Sequence, residues 1–470
     1  MLRSFVLVGL WCFAALGYDA TVGTQEAPAS AAWHLTGSGT TYRLSGGGSP
    51  LAGAGADVEL GADEASAAEF GAAATALPAA PFVQRHVKLS AVLSTRAAAG
   101  RGGALWLRAD GPNGVMAFVN SQDQPVVGSA SGIRREIELY VPNGATTVIA
   151  GILLAGSGQV SASGLRIVAD EMPVAPAAAS PQRVLEAAIE IVRGHALRAS
   201  TVDWDTLAAD LRARSHSAKI AADAYPAIRA LLAALGDHHS FLMEPAQARK
   251  WKSEGVAGVP TVVDVLPGGV GRIVLPPFSG TEPQAARTFA ADVVDAIAAK
   301  APQVRCGWIV DLRENTGGNM WPMLAGLRPL LGDDRLGGLK GPNEPDTSWK
   351  ATNLMGVKPH GPRLVDAAVA VLTGPRTASS GEAVAIAFRG RARTRSFGAP
   401  TAGLSTANRG FDLPDGSSLF LTTAVDMDRT GRAYGGAVEP DQAVAEGGAQ
   451  EAVGVATAWL QQASGCAHGE

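Results

Sequence analysis

Three short stretches of the chain carry residue types that can break a covalent bond. The first, Gly374-Pro-Arg-Thr-Ala-Ser-Ser-Gly-Glu382, follows the apolar run from Val365 to Thr373 and precedes a helical pattern that opens near Ser380. A hydroxyl at such a strand-to-helix turn faces the free N–H groups and partial positive charge of a helix start, which stabilise an oxyanion. Ser379 or Ser380 is thereby a candidate nucleophile, or else a helix N-cap. The second stretch, Val310-Asp-Leu-Arg-Glu-Asn-Thr-Gly-Gly-Asn319, ends a buried strand in a polar loop with paired glycines. Gly317 and Gly318 let backbone N–H groups approach a ligand without Cβ interference, or simply make a turn. The third, Leu235-Gly-Asp-His-His-Ser-Phe-Leu242, holds two of the eight histidines just past a helix end. His238 and His239 suit a base or metal ligands, or are solvated loop histidines. The HExxH spacing of zinc peptidases is missing beside them, which argues against a metal, and nothing else in the chain calls for a cofactor.

Together the three stretches resemble the tail-specific and tricorn-core serine peptidases, which include the carboxy-terminal processing peptidases. That family shows a DLRxNxGG strand-loop, a Ser-x-x-Glu turn after an apolar strand, a later Gly-x-x-Thr-x-Gly and a closing Gly-x-x-x-Glu-Pro-Asp. The last two are matched by Gly398-Ala-Pro-Thr-Ala-Gly403 and Gly435-Gly-Ala-Val-Glu-Pro-Asp441, so the resemblance spans about residues 180 to 460. It implies Ser379 as nucleophile, with the Ser380 N–H and that of Gly317 or Gly318 forming the oxyanion hole.

The chain departs from the processing branch at the base, because the lysine expected after Gly-x-x-Thr-x-Gly is Leu404 and no lysine occurs from Pro359 to Glu470. The tricorn-like branch uses a histidine from the preceding helical region, which by alignment on Gly236 falls on His239. Imidazole removes a hydroxyl proton near neutral pH and returns it to the leaving amine. For the orienting carboxylate Glu439 is preferred, with Asp237 and Asp441 as rivals and the role of His238 open. Glu382 is expected to favour the helix start by its charge, and Asp311 and Arg313 to shape their loop. A PDZ module is expected to be missing, since only about thirty residues separate His239 from the strand at Gly271. A binding protein on the same scaffold is the alternative, as interphotoreceptor retinoid-binding protein resembles this family and carries hydrophobic ligands. The serine, histidine and double glycine together favour the enzyme.

The elements that must hold these residues follow from periodicity. Residues 33–170 show short alternating runs (82–93, 104–109, 115–120, 135–141, 146–154, 159–168) divided by turns, which predicts an all-β sandwich. This segment loosely resembles a galactose-binding-like jelly roll, in which Trp33, Trp106 and Tyr140 either form a carbohydrate platform or pack a core. Residues 171–180 read as a linker, and 181–250 as a small helical bundle with helices from Pro181, near Asp203 and near Ser217. Residues 255–462 alternate buried strands with helices, an α/β catalytic core that the resemblance makes ClpP/crotonase-like. Pro414-Asp-Gly416 marks a hairpin.

Glycine is in excess, 57 of 470 residues, without a collagen period, so tight turns and close backbone approaches are expected. A net charge of −4 with no polybasic tract makes nucleic acid an unexpected partner. Peptide or protein is the expected substrate, and the oligomeric state is open. Residues 1–20, with Arg3 before a short apolar run and Ala15-Leu-Gly17 as a cleavage site, read as a signal peptide; a periplasmic or secreted chain without a further membrane segment follows. Removal of Cys12 leaves Cys306 and Cys466 either to pair or to remain a buried thiol and a free one.

Overall fold

The computed structural model describes residues 32–51, 55–63, 69–112, 114–122, 124–171, 178–257, 260–342, 344–354, 360–444 and 449–466. The signal-peptide reading, Cys12 and most of the expected linker lie outside the described residues. The chain divides into two units, one built on Ala14–Ile189 and Asp203–Ala234, the other on Glu190–Val202 and Leu235–Glu470.

The first unit is an all-β sheet with helices. Its strands are β1 (Trp33–Gly37), β2 (Arg43–Gly47), β3 (Ala56–Ala62), β4 (Phe70–Pro78), β5 (His86–Gly111), β6 (Gly114–Asn120), β7 (Val126–Tyr140), β8 (Thr147–Ala155) and β9 (Gly158–Ala169). All pair antiparallel, in the order β1-β4-β8-β5-β9-β3-β2 with β6 and β7 also on β5. The long β5 ties the sheet together: its first half pairs with β7 and β9, its second with β8 and β6. Between the halves Gly100 and Gly102 take positive φ, where a Cβ would be strained. Apolar residues alternate along the strands and meet in one core that includes Leu60, Leu77, Leu89, Leu105, Ile137 and Ile152. Trp106 and Tyr140 are buried at 6% and 3% exposure, so they pack the sheet rather than present a platform.

Helix α1 (Pro181–His195) starts as the Ser180-Pro181 pair predicts, with the Ser180 hydroxyl accepting the Arg183 N–H at 3.3 Å. The helices α2 (Trp204–Arg214) and α3 (Tyr225–Ala233) belong to the same unit as the sheet. The reason is Asp223, a buried carboxylate that accepts from Tyr140 Oη (3.0 Å), the Asn143 amide (2.7 Å), Gln84 Nε2 (3.2 Å) and the amides of Lys219 and Ile220 (3.0 and 3.1 Å). Each bond satisfies an acceptor that would otherwise be costly to bury. The expected bundle over 181–250 is therefore divided between two units.

The second unit is α/β. It comprises β10 (Phe241–Met243), α4 (Pro245–Ser253), β11 (Gly255–Ala257), β12 (Val262–Leu266), β13 (Val270–Val274), β14 (Phe278–Gly280), α5 (Pro283–Lys300) and β15 (Trp308–Asp311). Then come α6 (Met320–Gly326), α7 (Arg328–Leu331), β16 (Gly337–Gly341), β17 (Glu344–Trp349), β18 (Val369–Thr373), α8 (Ser380–Ala387) and β19 (Thr394–Gly398). The chain closes with β20 (Thr406–Asp412), β21 (Ser418–Asp428), β22 (Gln442–Ala443) and α9 (Ala449–Ala463). The helix expected over 319–331 is interrupted at Leu327, close before Pro329.

One sheet runs β12-β13-β15-β18-β19-β22, parallel from β13 onward. Its strands are continuous apolar runs because both faces are covered. Ile273, Val310 and Val371 pack with Phe289, Met323 and Val384 of the helices on one face; Ile309, Ala370 and Leu372 pack with Ala456 and Leu460 of α9 on the other. A second sheet runs β10-β21-β16-β17, with β20 on β21. Its β20–β21 hairpin turns at Pro414-Asp-Gly416, where Gly416 takes φ 86° and its amide donates to Leu413 O at 3.0 Å. Cys306 and Cys466 form a disulfide across 160 residues of sequence. Among the described residues no helix is long and apolar enough to cross a membrane.

Candidate active site

Adjacent parallel strands bring three loops together at their C-terminal ends, where α/β sheets place their sites. β15 leads into the double-glycine loop, β18 into the serine turn, and β19 into Ala399–Gly403, and these strands are neighbours. The serine turn is tied to β15 by Thr377, whose Oγ1 donates to Leu312 O at 2.8 Å and accepts the Gly374 amide at 3.0 Å.

Ser379 is the N-cap of α8 and has φ 51° and ψ −121°, a region that L side chains rarely adopt. Strain of this kind, about 1–3 kcal/mol, persists only where the surroundings enforce it. Here Glu382 enforces it. Its Oε2 accepts the Ser379 and Leu404 amides at 2.8 Å each, and its Oε1 accepts the Gly403 amide at 3.0 Å and the Thr401 hydroxyl. Glu382 thus does more than complement the start of α8: it joins the serine turn to the Gly-x-x-Thr-x-Gly stretch. Burial pushes its carboxyl up to about 7, and the four hydrogen bonds pull it back only in part. Asp426, fully buried, is raised well above the usual range by burial and by the Glu382 charge.

The loop after β15 is organised by Asn315, which sequence reasoning passed over. Its Oδ1 accepts the Gly317 amide at 3.0 Å, and its Nδ2 donates to Leu275 O and Pro276 O at 3.1 Å each. Its backbone carbonyl accepts the Ala378 amide at 3.0 Å, which binds the glycine loop to the serine turn. The signal was present, since Asn two residues before the bonded amide is an Asx-turn pattern. Gly317 packs so close that a Cβ would lie 2.9 Å from Ser379 Cβ and 3.0 Å from Ser380 N. The Ser380 hydroxyl donates to Gly318 O at 2.6 Å. The Gly317 amide is taken by Asn315, whereas the amides of Gly318 and Ser380 meet no acceptor among the described residues.

The histidine loop is delivered by the second sheet, because β21 pairs with both β10 and β20. Asp237 shapes the loop: Oδ1 accepts the amides of His239 and Ser240 at 3.0 and 2.9 Å, and Oδ2 accepts the Ser240 hydroxyl at 2.7 Å. Asn408 of β20 donates to His239 O at 2.7 Å. His238, at φ 55°, is exposed, while His239 is buried at 6% exposure. The two ring nitrogens of His239 then lie 2.9 Å from Ser379 Oγ (Nε2) and 2.6 Å from Thr406 Oγ1 (Nδ1). Burial pushes the imidazole down from its usual 6.5 to about 4, against a smaller upward pull from Asp237.

Among the described residues the expected carboxylate of Glu439 makes no bond to His239, whose ring nitrogens meet Ser379 and Thr406. The Glu439 side chain is exposed, and its backbone carbonyl accepts from the Arg389 guanidinium. Asp441 is engaged with the Ser396 amide and hydroxyl at 2.8 and 2.9 Å and with Arg389. Asp311 binds Arg313 through two oxygens, as expected for a loop brace. Among the described residues no group of His, Cys, Asp and Glu could hold a metal ion.

The fold of the second unit has known relatives. The chain is similar to the nisin-resistance protein of Lactococcus lactis subsp. lactis, 27% identical over 267 residues that cover 54% of this chain and 80% of that protein. A lipoprotein from Streptococcus agalactiae shares the fold at 23% identity and a TM-score of 0.54, covering 62% of this chain and 99% of the other. A photosystem II D1 C-terminal processing protease aligns at 17% identity and a TM-score of 0.44, covering 59% and 98%. The profile of peptidase family S41 matches residues 269–444, the segment that holds both the double glycine and Ser379. This α/β core belongs to peptidase family S41, and the chain is a serine-type peptidase.

Proposed function

We propose that the protein is an extracytoplasmic endopeptidase that cleaves peptide bonds through an acyl-enzyme on Ser379, with His239 as general base. The observation that carries this reading is the 2.9 Å separation of His239 Nε2 and Ser379 Oγ, residues 140 apart in sequence. The hydroxyl proton passes to Nε2 as Oγ bonds to the peptide carbonyl carbon. The same proton then goes to the leaving amine, and water repeats the sequence to release the acyl group.

Negative charge on the carbonyl oxygen is met by the amides of Gly318 and Ser380, the latter at the start of α8. Gly317 serves the approach of the loop rather than donation, since its own amide is spent on Asn315. Asp237 supports the loop that carries the base, and His238 beside it is exposed. The Cys306–Cys466 disulfide favours an oxidising compartment, which agrees with the signal-peptide reading. The jelly-roll-like N-terminal unit is the candidate for recruiting substrate, the task a PDZ module has in the processing peptidases.

Ser379→Ala is expected to abolish fluorophosphonate labelling and peptide hydrolysis while the thermal unfolding transition stays cooperative. Persistent labelling of that variant would remove Ser379 as the sole nucleophile.

A further inference from the structure

We propose that the Thr406 hydroxyl, in place of a carboxylate, is the group that positions His239 for reaction, by accepting a hydrogen bond from its Nδ1–H. The inference rests on His239 being the base. A neutral imidazole carries one N–H and one lone pair, so if Nε2 accepts the Ser379 proton, Nδ1 must be the protonated nitrogen and needs an acceptor. Thr406 Oγ1 lies 2.6 Å from Nδ1.

The acids named for this role are held elsewhere, and Asp426 of β21, whose Oδ2 meets no donor among the described residues, is coupled to Glu382 rather than to His239. Asp237 spends both oxygens on its own loop. Glu382 is filled by four donors, the Ser379 amide among them. Glu439 is exposed and Asp441 holds Ser396 and Arg389. The groups facing His239 are therefore Asp237 from its own loop, the neutral Thr406 and Asn408 from β20, and Ser379 from the serine turn with Glu382 behind it.

Thr406 is also well placed to hold an orientation. It opens β20, and its partner in the ladder is Val425 of β21, the strand that pairs with β10 directly after His239. Asn408, two residues on, anchors the His239 carbonyl and is itself held by the Thr422 hydroxyl at 2.9 Å. Ring and hydroxyl are thus fixed to one framework.

The hydroxyl has a chemical consequence that a carboxylate would not. A carboxylate stabilises imidazolium by its charge, whereas a neutral hydroxyl leaves burial as the dominant influence on the ring. The base therefore stays unprotonated well below the usual histidine range, and labelling of Ser379 persists into mildly acidic solution.

The test uses the full chain and a fluorophosphonate probe, with labelling rate followed against probe concentration and pH. Thr406→Val keeps the shape and removes the acceptor; its limiting rate is expected to fall ~10–100-fold with the half-saturating probe concentration and unfolding temperature unchanged, and Thr406→Ser to restore the rate. Thr406→Asp supplies the missing charge and is expected to move the acid limb of the rate profile upward by at least ~1 pH unit. A Thr406→Val enzyme that labels at the parent rate overturns the proposal, as does an unmoved acid limb in Thr406→Asp. Should Thr406→Val not fold, the Thr406→Ser rate and the Thr406→Asp profile decide alone. Parent-rate labelling of His239→Ala would instead overturn the base itself, so the two failures are distinguishable.

Discussion

The side chain of Ser379 sits on a backbone that favours glycine, and this separates strain from chemistry in a measurable way. With φ 51° and ψ −121°, the residue is held by the Glu382 carboxylate and the loop packed against it. Replacing Ser379 by Gly relieves about 1–3 kcal/mol of strain against about 0.5–1 kcal/mol of added chain entropy in the unfolded state. Ser379→Gly is accordingly expected to unfold a few degrees above Ser379→Ala, by calorimetry of the two inactive variants. Equal midpoints would place the strain elsewhere. At this scale the sequence was informative where a motif imposes a turn, as at the double glycine and the Ser-x-x-Glu spacing. It was silent about Thr406, because a threonine near the start of a strand is ordinary there and gains its meaning only from His239, 167 residues earlier. It pointed to Glu439, whose side chain is exposed, whereas the group 2.6 Å from Nδ1 is the Thr406 hydroxyl.

Among the elements, the β18–α8 connection shows how a single carboxylate can organise two loops. Glu382→Gln preserves size but replaces one acceptor oxygen with a donor, which leaves backbone amides of Ser379, Gly403 or Leu404 without a partner. An orphaned buried amide costs about 1–3 kcal/mol, so a lower urea midpoint and slower fluorophosphonate labelling are expected together. A loss of labelling with an unchanged midpoint would point to a direct part for Glu382 in the chemistry. The linkage has a sign: with its carboxyl raised to about 7, Glu382 in the folded chain holds its proton above the usual 4.5. Its contribution to stability is present below about 4.5 and is lost as pH rises toward 7. The strands β5–β9, β13, β15 and β18 were legible, since buried parallel strands and alternating runs have plain periods, whereas β1–β4 and the short strands β10–β12, β14, β16, β17 and β19 were not. The limits appeared where tertiary contacts decide: the break at Leu327, and the delayed start of α3 at Tyr225 after the Ala221–Ala224 turn that Asp223 pins to the sheet.

For the molecule as a whole, the division into units cuts across the order of the sequence. Residues 190–202 go with the peptidase core while 203–234 go with the N-terminal sheet, an arrangement that periodicity could not foresee because each helix alone looks like a bundle member. The Cys306–Cys466 disulfide closes a ring around most of the catalytic core, from the loop before β15 to the tail after α9. A loop of that length lowers the entropy of the unfolded chain by the equivalent of up to about 5 kcal/mol, and native disulfides commonly contribute ~2–4 kcal/mol. Cys466→Ser is expected to lower the thermal midpoint of the catalytic unit and to make it insensitive to reductant; a midpoint unmoved by either change would show that the bond is dispensable for stability.

The pairing of β10 with β21 also sets a timetable. The histidine loop leaves the ribosome well before the serine turn, yet it has no seat until residues 418–428 exist to pair with β10 and to carry β20 beside the ring. Until then His239 and Ser379, 140 residues apart in the chain, lack the framework that seats them side by side. Placement of His239 beside Ser379 thus depends on residues 418–428, which come late in the chain.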